Sequence, residues 1–155
     1  MSAAEGHPAP ALDLPTDNGG RVSLSALKGK PAVVYFYPKD DTTGCTREAQ
    51  DFNALTPDFA ALGVPVIGVS RDTVKKHDRF KAKYDLAVVL ASDEDGAACE
   101  AWGVWVQKKL YGREYMGIER ATFLIDADGR VVRAWRNVKV ADHAAAVLEA
   151  ARSLG

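Results

Sequence analysis

Ala32-Val33-Val34-Tyr35-Phe36-Tyr37-Pro38-Lys39-Asp40-Asp41-Thr42-Thr43-Gly44-Cys45-Thr46-Arg47-Glu48 joins an unbroken apolar, β-prone run to the start of a helical pattern, with a cysteine at the junction. A run without polar alternation reads as a strand covered on both faces. Val64-Pro65-Val66-Ile67-Gly68-Val69 and the run from Leu86 to Ala91 repeat that character. Between the first two, Phe52, Leu55, Phe59 and Leu62 recur at helical spacing from Cys45 to Gly63, and Pro57 must start a new turn or kink the helix. Thr73 to Tyr84 reads as a charged helix with Val74, Phe80 and Tyr84 on its apolar side, and Asp93 to Trp102 as a short helix capped by Ser92 or Asp93.

Upstream, Ala11-Leu12-Asp13-Leu14 and Arg21-Val22-Ser23-Leu24 flank an Asn18-Gly19 turn signal and predict a hairpin. Downstream, Gly103 to Glu119 is a looser segment. Ala121 to Ile125 and Val131 to Trp135 are strands joined by a turn, and Val140 to Leu154 closes the chain as an alanine-rich helix. Strands alternating with helices, ending in a hairpin, predict an α/β sandwich with a mixed sheet.

Composition narrows the function classes. With 155 residues, 47% hydrophobic and 26% charged, the chain fits one domain with its own core, residues 1–10 forming a polar tail expected to be flexible. Twenty basic against twenty-one acidic side chains provide no basic field for nucleic acid or an anionic membrane. Met1 to Pro10 lacks the basic start and apolar run of a secretory signal, and no stretch approaches a membrane span, so a soluble, cytoplasmic protein acting as a monomer is expected. Neither a cofactor nor a metal is expected, because His7, His77, His143 and the two cysteines do not assemble a convincing ligand set.

Cys45 and Cys99 are the only cysteines, too few for a disulfide framework. Cys45 falls where a helix begins. Unpaired backbone N–H groups and the positive helix end there stabilise a thiolate, the nucleophilic form. A lone cysteine is otherwise as readily an inert buried thiol. Pro38, Thr42 and Gly44, crowded into the same loop-to-helix junction, favour the functional reading.

Pro38-x-x-x-Thr42-x-x-Cys45 after a Val-Val-Tyr-Phe-Tyr strand resembles the active-site signature of the peroxiredoxins, in particular the bacterioferritin comigratory protein or PrxQ group. The Tyr-Pro-Lys-Asp-Asp run at 37–41, Ser92-Asp93-Glu94-Asp95, Gly103-Val104-Trp105 and Arg120-Ala121-Thr122-Phe123-Leu124-Ile125-Asp126 extend the resemblance over nearly the whole chain. It implies a thioredoxin fold with an N-terminal β-hairpin, and reduction of hydrogen peroxide and small organic hydroperoxides by a thiol peroxidase. In that scheme Cys45 attacks the distal peroxide oxygen and becomes a sulfenic acid.

The resemblance assigns Thr42 to the peroxide, though a threonine there also suits an N-cap. It assigns Arg120 to the thiolate and the developing oxyanion, though alone it is an arginine at a strand edge. Pro38 would shield the thiolate, Gly44 would give access, and Glu48 would orient Arg120 or Arg47 unless it only stabilises the helix start. Lowering a thiol pKa from ~8.5 to ~6 raises the thiolate at pH 7 about thirtyfold, only ~2 kcal/mol of barrier. Fast chemistry therefore needs Thr42, Arg120 and loop amides to stabilise the transition state as well.

Two departures bear on turnover. Many members of the group carry a resolving cysteine five residues after the first, where this chain has Gln50, and Thr43 replaces the proline that often precedes Gly-Cys. Cys99 is then the one internal candidate for resolution, weighed below a packing role because free cysteines are commonly buried. The expectation is a one-cysteine mechanism re-reduced by thioredoxin, glutaredoxin or a low-molecular-weight thiol. The alternative is a peroxide sensor or redox relay acting through mixed disulfides. A dithiol reductase is disfavoured by the lack of a Cys-x-x-Cys pair. Trp102, Trp105, Tyr111 and Tyr115 could wall a substrate or reductant surface or simply pack, and Asp126 to Gly129 reads as a turn rather than a calcium loop.

Overall fold

Among residues 3–154, which the computed structural model describes, the elements follow in the order β1 (Asp13–Pro15), β2 (Arg21–Ser23), β3 (Ala32–Phe36), α1 (Thr43–Ala54), α2 (Thr56–Ala61), β4 (Val66–Ser70) and α3 (Val74–Tyr84). They continue with β5 (Val89–Ser92), α4 (Ala97–Ala101), β6 (Trp105–Leu110), β7 (Arg113–Ile118), β8 (Ala121–Ile125), β9 (Val131–Trp135) and α5 (His143–Arg152). The main sheet has the order β5-β4-β3-β8-β9. β3, β4 and β5 run parallel, while β8 is antiparallel to both β3 and β9. This is the mixed, thioredoxin-type sheet expected, with the β1–β2 hairpin ahead of it. Asn18 turns that hairpin in the left-handed region, which asparagine tolerates.

The unbroken apolar character of β3 follows from its central place. Val33 and Tyr35 face one core with Phe52 of α1, Phe59 of α2, Phe80 of α3 and Leu148 of α5. Val34 and Phe36 face a second core with Ile67, Val69, Trp102 and Phe123. Every side chain of the strand is thus buried, so no polar residue can alternate into it. Pro57 falls in the first turn of α2, where its missing N–H breaks no helical bond, and so it divides the 45–63 helical pattern into two helices.

Three segments differ from expectation. Residues 3–9 of the expected flexible tail are docked along the outer edge of β9. Gly6 and Ala9 donate backbone hydrogen bonds to Val131 and Gly129, Val131 donates to His7, and Ala3 is buried. Residues 1–2 of the tail lie outside the described residues. Mostly backbone pairing holds this edge, with Glu5 accepting from the Ala134 N–H and Arg130 donating to the Gly6 carbonyl, and backbone pairing leaves no side-chain pattern to read. The looser segment at 103–119 is a two-stranded antiparallel sheet of β6 and β7, turned at Tyr111-Gly112. Most of its side chains stay exposed or half-exposed, which explains the weak alternation. The helix expected from Asp93 begins only at Ala97. Asp93 caps it from outside, accepting from the Ala98 and Cys99 N–H groups at 3.0 and 2.8 Å.

Gly68 in β4 lies under the Tyr35 ring, so that a Cβ there would stand 2.7 Å from Tyr35 Cζ. The ring cannot swing away easily, because it is fully buried and stacks on Phe52 with centroids 4.7 Å apart. Gly68→Ala should therefore cost about 1–3 kcal/mol by overpacking, read as a lower urea midpoint with an unchanged m-value. An unchanged midpoint would show that the core yields there.

Candidate active site

Sheet register brings the candidate residues together. β3 ends at Phe36, which pairs with Ala121, the first residue of antiparallel β8. Arg120, just before β8, therefore emerges beside the loop that leaves β3 at Pro38. That loop opens at the carboxyl ends of the parallel strands, where α/β sheets form their crevices.

Thr42 caps α1 with an extended backbone, and the first helical bond runs from Thr46 N–H to the Thr42 carbonyl. The N–H groups of Thr43, Gly44 and Cys45 have no acceptor within the helix and point along its positive end. The Thr42 side chain takes no capping bond. Its hydroxyl donates to the Lys39 carbonyl at 3.0 Å, which commits its proton and leaves its lone pairs to accept from an incoming O–H.

Cys45 is 1% exposed. Arg120, recruited from 75 positions away, donates from Nη2 to Cys45 Sγ at 3.3 Å and from Nη1 to Glu48 Oε1 at 2.6 Å. One planar guanidinium thus spans the sulfur and the carboxylate, which a lysine ammonium could not do in this geometry. Burial works against the Arg120 charge, but Glu48 and Cys45 outweigh it, so the guanidinium holds its proton more tightly than usual. Gly44 has a use beyond access, since a Cβ there would lie 3.1 Å from Arg120 Nη2. The absent side chain is the space the guanidinium occupies.

Glu48 shows how far burial governs this cluster. It is 1% exposed and its Oε2 has no hydrogen-bond partner among the described residues. Burial raises its pKa from 4.5 to about 7, and the opposing Arg120 bond only limits the rise. Of the two arginines weighed as its partner, Arg120 is the one it binds. Pro38 is half-buried and borders a groove of about 530 Å³ whose rim includes Lys39, Arg71, Glu94, Trp105 and Lys108. Tyr115 and Met116 of β7 also line it, whereas Trp102 is fully buried in the second core and Tyr111 is 96% exposed at the β6–β7 turn. Only part of the expected aromatic wall therefore exists.

Cys99 does not join the site. It is 0% exposed within the second core, on the face of the sheet opposite Cys45, and burial with the Asp93 carboxylate beside it pushes its thiol pKa well up. The small residues around it pack into that core. Gln50 is exposed on α1.

Several groups near the site carried no sequence signal of a role. Tyr35 has a fully buried hydroxyl without a partner among the described residues, its pKa raised by burial and then by Glu48 and Cys45. His143 of α5 bonds Thr122 Oγ1 through Nε2 at 2.7 Å and packs edge-on against Phe52 and Trp135. Burial and then the Arg120 charge lower its pKa to about 4, so it stays neutral. A histidine in an alanine-rich helix looked unremarkable because its neighbours come from other elements.

Comparison with known proteins agrees with this geometry. The AhpC/TSA family pattern matches residues 6–134. Peroxiredoxin Bcp of Bacillus subtilis is 49% identical over 154 residues, covering 99% of this chain and 98% of its own. Peroxiredoxin Bcp of Xanthomonas campestris is 51% identical, covering 94% and 92%. Among solved structures, a cysteine-to-serine variant of Xylella fastidiosa PrxQ superposes with a TM-score of 0.93 at 39% identity, covering 99% and 98%. The Xanthomonas campestris bacterioferritin comigratory protein, solved in a study of its alkyl peroxide reduction, gives 0.87 at 51% identity, covering 92% and 90%.

Two predictions follow from the charge arrangement. At a pH where the thiol is fully ionised in both proteins, Arg120→Ala should still slow peroxide attack on the order of a hundredfold, measured by stopped-flow. Equal rates there would reduce Arg120 to a thiolate stabiliser. The folded state binds the Glu48 proton more tightly than the unfolded chain does, so this group's stabilisation is whole below about pH 4.5 and is lost as pH rises through about 7. The stability of wild type relative to Glu48→Gln should therefore fall across that window, by up to about 3 kcal/mol. A pH-independent difference would contradict it.

Proposed function

The chain belongs to the AhpC/TSA family, in its Bcp/PrxQ group of peroxiredoxins, and we propose that this thiol peroxidase works through Cys45 alone, with an outside thiol completing each cycle. The Cys45 thiolate attacks one peroxide oxygen, the O–O bond breaks, and the sulfur becomes a sulfenic acid while the departing oxygen takes up a proton as water or alcohol. An outside thiol then condenses with the sulfenic acid, releasing water and forming a mixed disulfide. A second thiol exchanges that bond and returns Cys45 to its reduced state.

The observation that carries this reading is the Arg120 contact to Cys45 Sγ. Negative charge sits first on the sulfur and then on the departing oxygen, and one fixed cation serves both. Thr42, with its proton committed to Lys39, accepts from the peroxide O–H and aligns it for attack. Placement of Cys99 behind the sheet supports the outside reductant. Thr42, Cys45, Glu48 and Arg120 all come from one copy, so the reading requires no oligomer and suits a monomer. Beside Pro38, the cations Lys39, Arg71 and Lys108 outnumber the single acid Glu94, and the groove therefore favours a reductant bearing negative charge.

Peroxide consumption by wild type, Cys45→Ser and Cys99→Ser, driven in turn by thioredoxin, glutaredoxin and a small thiol, tests the assignment. Cys45→Ser should lose turnover with every reductant, and Cys99→Ser should retain it within about twofold. Loss of turnover in Cys99→Ser would overturn the one-cysteine mechanism, and stoichiometric oxidation without turnover by any reductant would favour a relay.

A further inference from the structure

The loop that carries the site is tied to α3 through a buried polar cluster that no step of the peroxidase reaction uses. His77 of α3 is 0% exposed, yet both ring nitrogens face oxygen acceptors: Nδ1 lies 2.6 Å from Asp40 Oδ2, and Nε2 lies 2.9 Å from the Ala91 carbonyl of β5. A carbonyl can only accept, so Nε2 carries a proton. A carboxylate also accepts, and its other oxygen, Oδ1, already takes the Tyr37 hydroxyl proton. Both demands are met at once by a ring protonated on both nitrogens. Asp40 itself is held twice, for its backbone N–H donates to Asp72 Oδ2 at 2.8 Å, the same oxygen that accepts from Ser70 Oγ at 2.6 Å. Asp41, the next residue, lies in the left-handed region and accepts from Lys83 and Tyr84 at the end of α3.

We propose that His77 is a positioning residue of the peroxidase: as an imidazolium between Asp40 and Ala91 it fixes the Pro38–Cys45 loop against α3, and so sets where Thr42 and Cys45 meet the peroxide. Asp40 stands two residues before Thr42 and five before Cys45, so slack at Asp40 passes directly into the cap of α1. Misplacement of about 1 Å at a reacting group can cost around a hundredfold in rate.

The groups facing the ring are few. Asp40 and Tyr37 come from the end of β3 and its loop, Asp72 comes from the turn after β4 with Lys76 at 3.9 Å from its other oxygen, and β5 offers only the Ala91 carbonyl. Burial opposes the ring's charge, but Asp40, Ala91 and Asp72 together raise its pKa above the ordinary 6.5. The stabilisation from the ion pair is therefore complete below about pH 6.5 and is lost as pH rises through the higher folded-state value. Loss of the proton leaves one ring nitrogen with its lone pair against an acceptor, and the loop loses an anchor.

Nitrogen-15 NMR of the wild-type histidine rings tests the proposal without reference to the role of Cys45. His77 should carry a proton on both nitrogens in its acid form and titrate above the ordinary 6.5, with His143, which titrates lower, as an internal reference. A His77 ring that titrates at or below 6.5 would overturn the proposal even if Cys45 is the nucleophile. In stopped-flow, peroxide attack by wild type should decline on the alkaline side. His77→Gln and Asp40→Asn should start at least about tenfold slower and lack that decline. The same alkaline limb in either variant, or an undiminished rate, would also overturn it. Should the variants fail to fold, the ring titration of wild type decides the matter.

Discussion

A sulfur held in the protein interior opposite a fixed cation is the constraint around which this molecule is arranged. Sulfur and guanidinium lie 75 positions apart in the chain and 3.3 Å apart in space. The pairing of Phe36 with Ala121 makes that possible, because it ends β3 and begins β8 at the same edge of the sheet. The close approach also needs Gly44, since any side chain there would press on the guanidinium. Fold and chemistry meet at that register: a shift of one residue would turn the wrong side chains into both cores and carry Arg120 out of reach.

Competing electrostatic effects inside the cluster decide its behaviour. Burial alone would neutralise Arg120, Glu48 and His77 alike. For Arg120 and His77 the anionic partners win and the charge is kept, whereas for Glu48 burial wins and the carboxyl holds its proton to about pH 7. The difference has a structural origin. His77 has an acceptor on each side, whereas one oxygen of Glu48 has no donor among the described residues. As Glu48 sheds its proton, the guanidinium shares its field between carboxylate and sulfur, so the acid that orients Arg120 also tempers it.

Much of this was legible in the sequence for specific physical reasons. Unbroken apolar strands announce a sheet covered on both faces, and Pro57 divides a helical pattern because it lacks an N–H. The Pro38-to-Cys45 spacing with its family resemblance named Thr42, Cys45 and Arg120, and in the structure Arg120 reaches both Cys45 and Glu48. Features built from backbone pairing or from distant neighbours left no trace. Residues 3–9 hold to β9 through main-chain bonds, β6 and β7 bury too little to alternate strongly, and His77 and His143 owe their surroundings to other elements. The place of Cys99 behind the sheet follows from which face α4 covers, and no local pattern encodes that.

The central claim is that Cys45 alone meets the peroxide and that nothing inside the chain closes on it afterwards. Intact-protein mass spectrometry after one equivalent of hydrogen peroxide, without added thiol and with the modified site then mapped, tests this most directly. The expected result is the gain of a single oxygen, located on Cys45. Loss of two hydrogens through a bond between Cys45 and Cys99, or an added oxygen on Cys99 with Cys45 untouched, would contradict it.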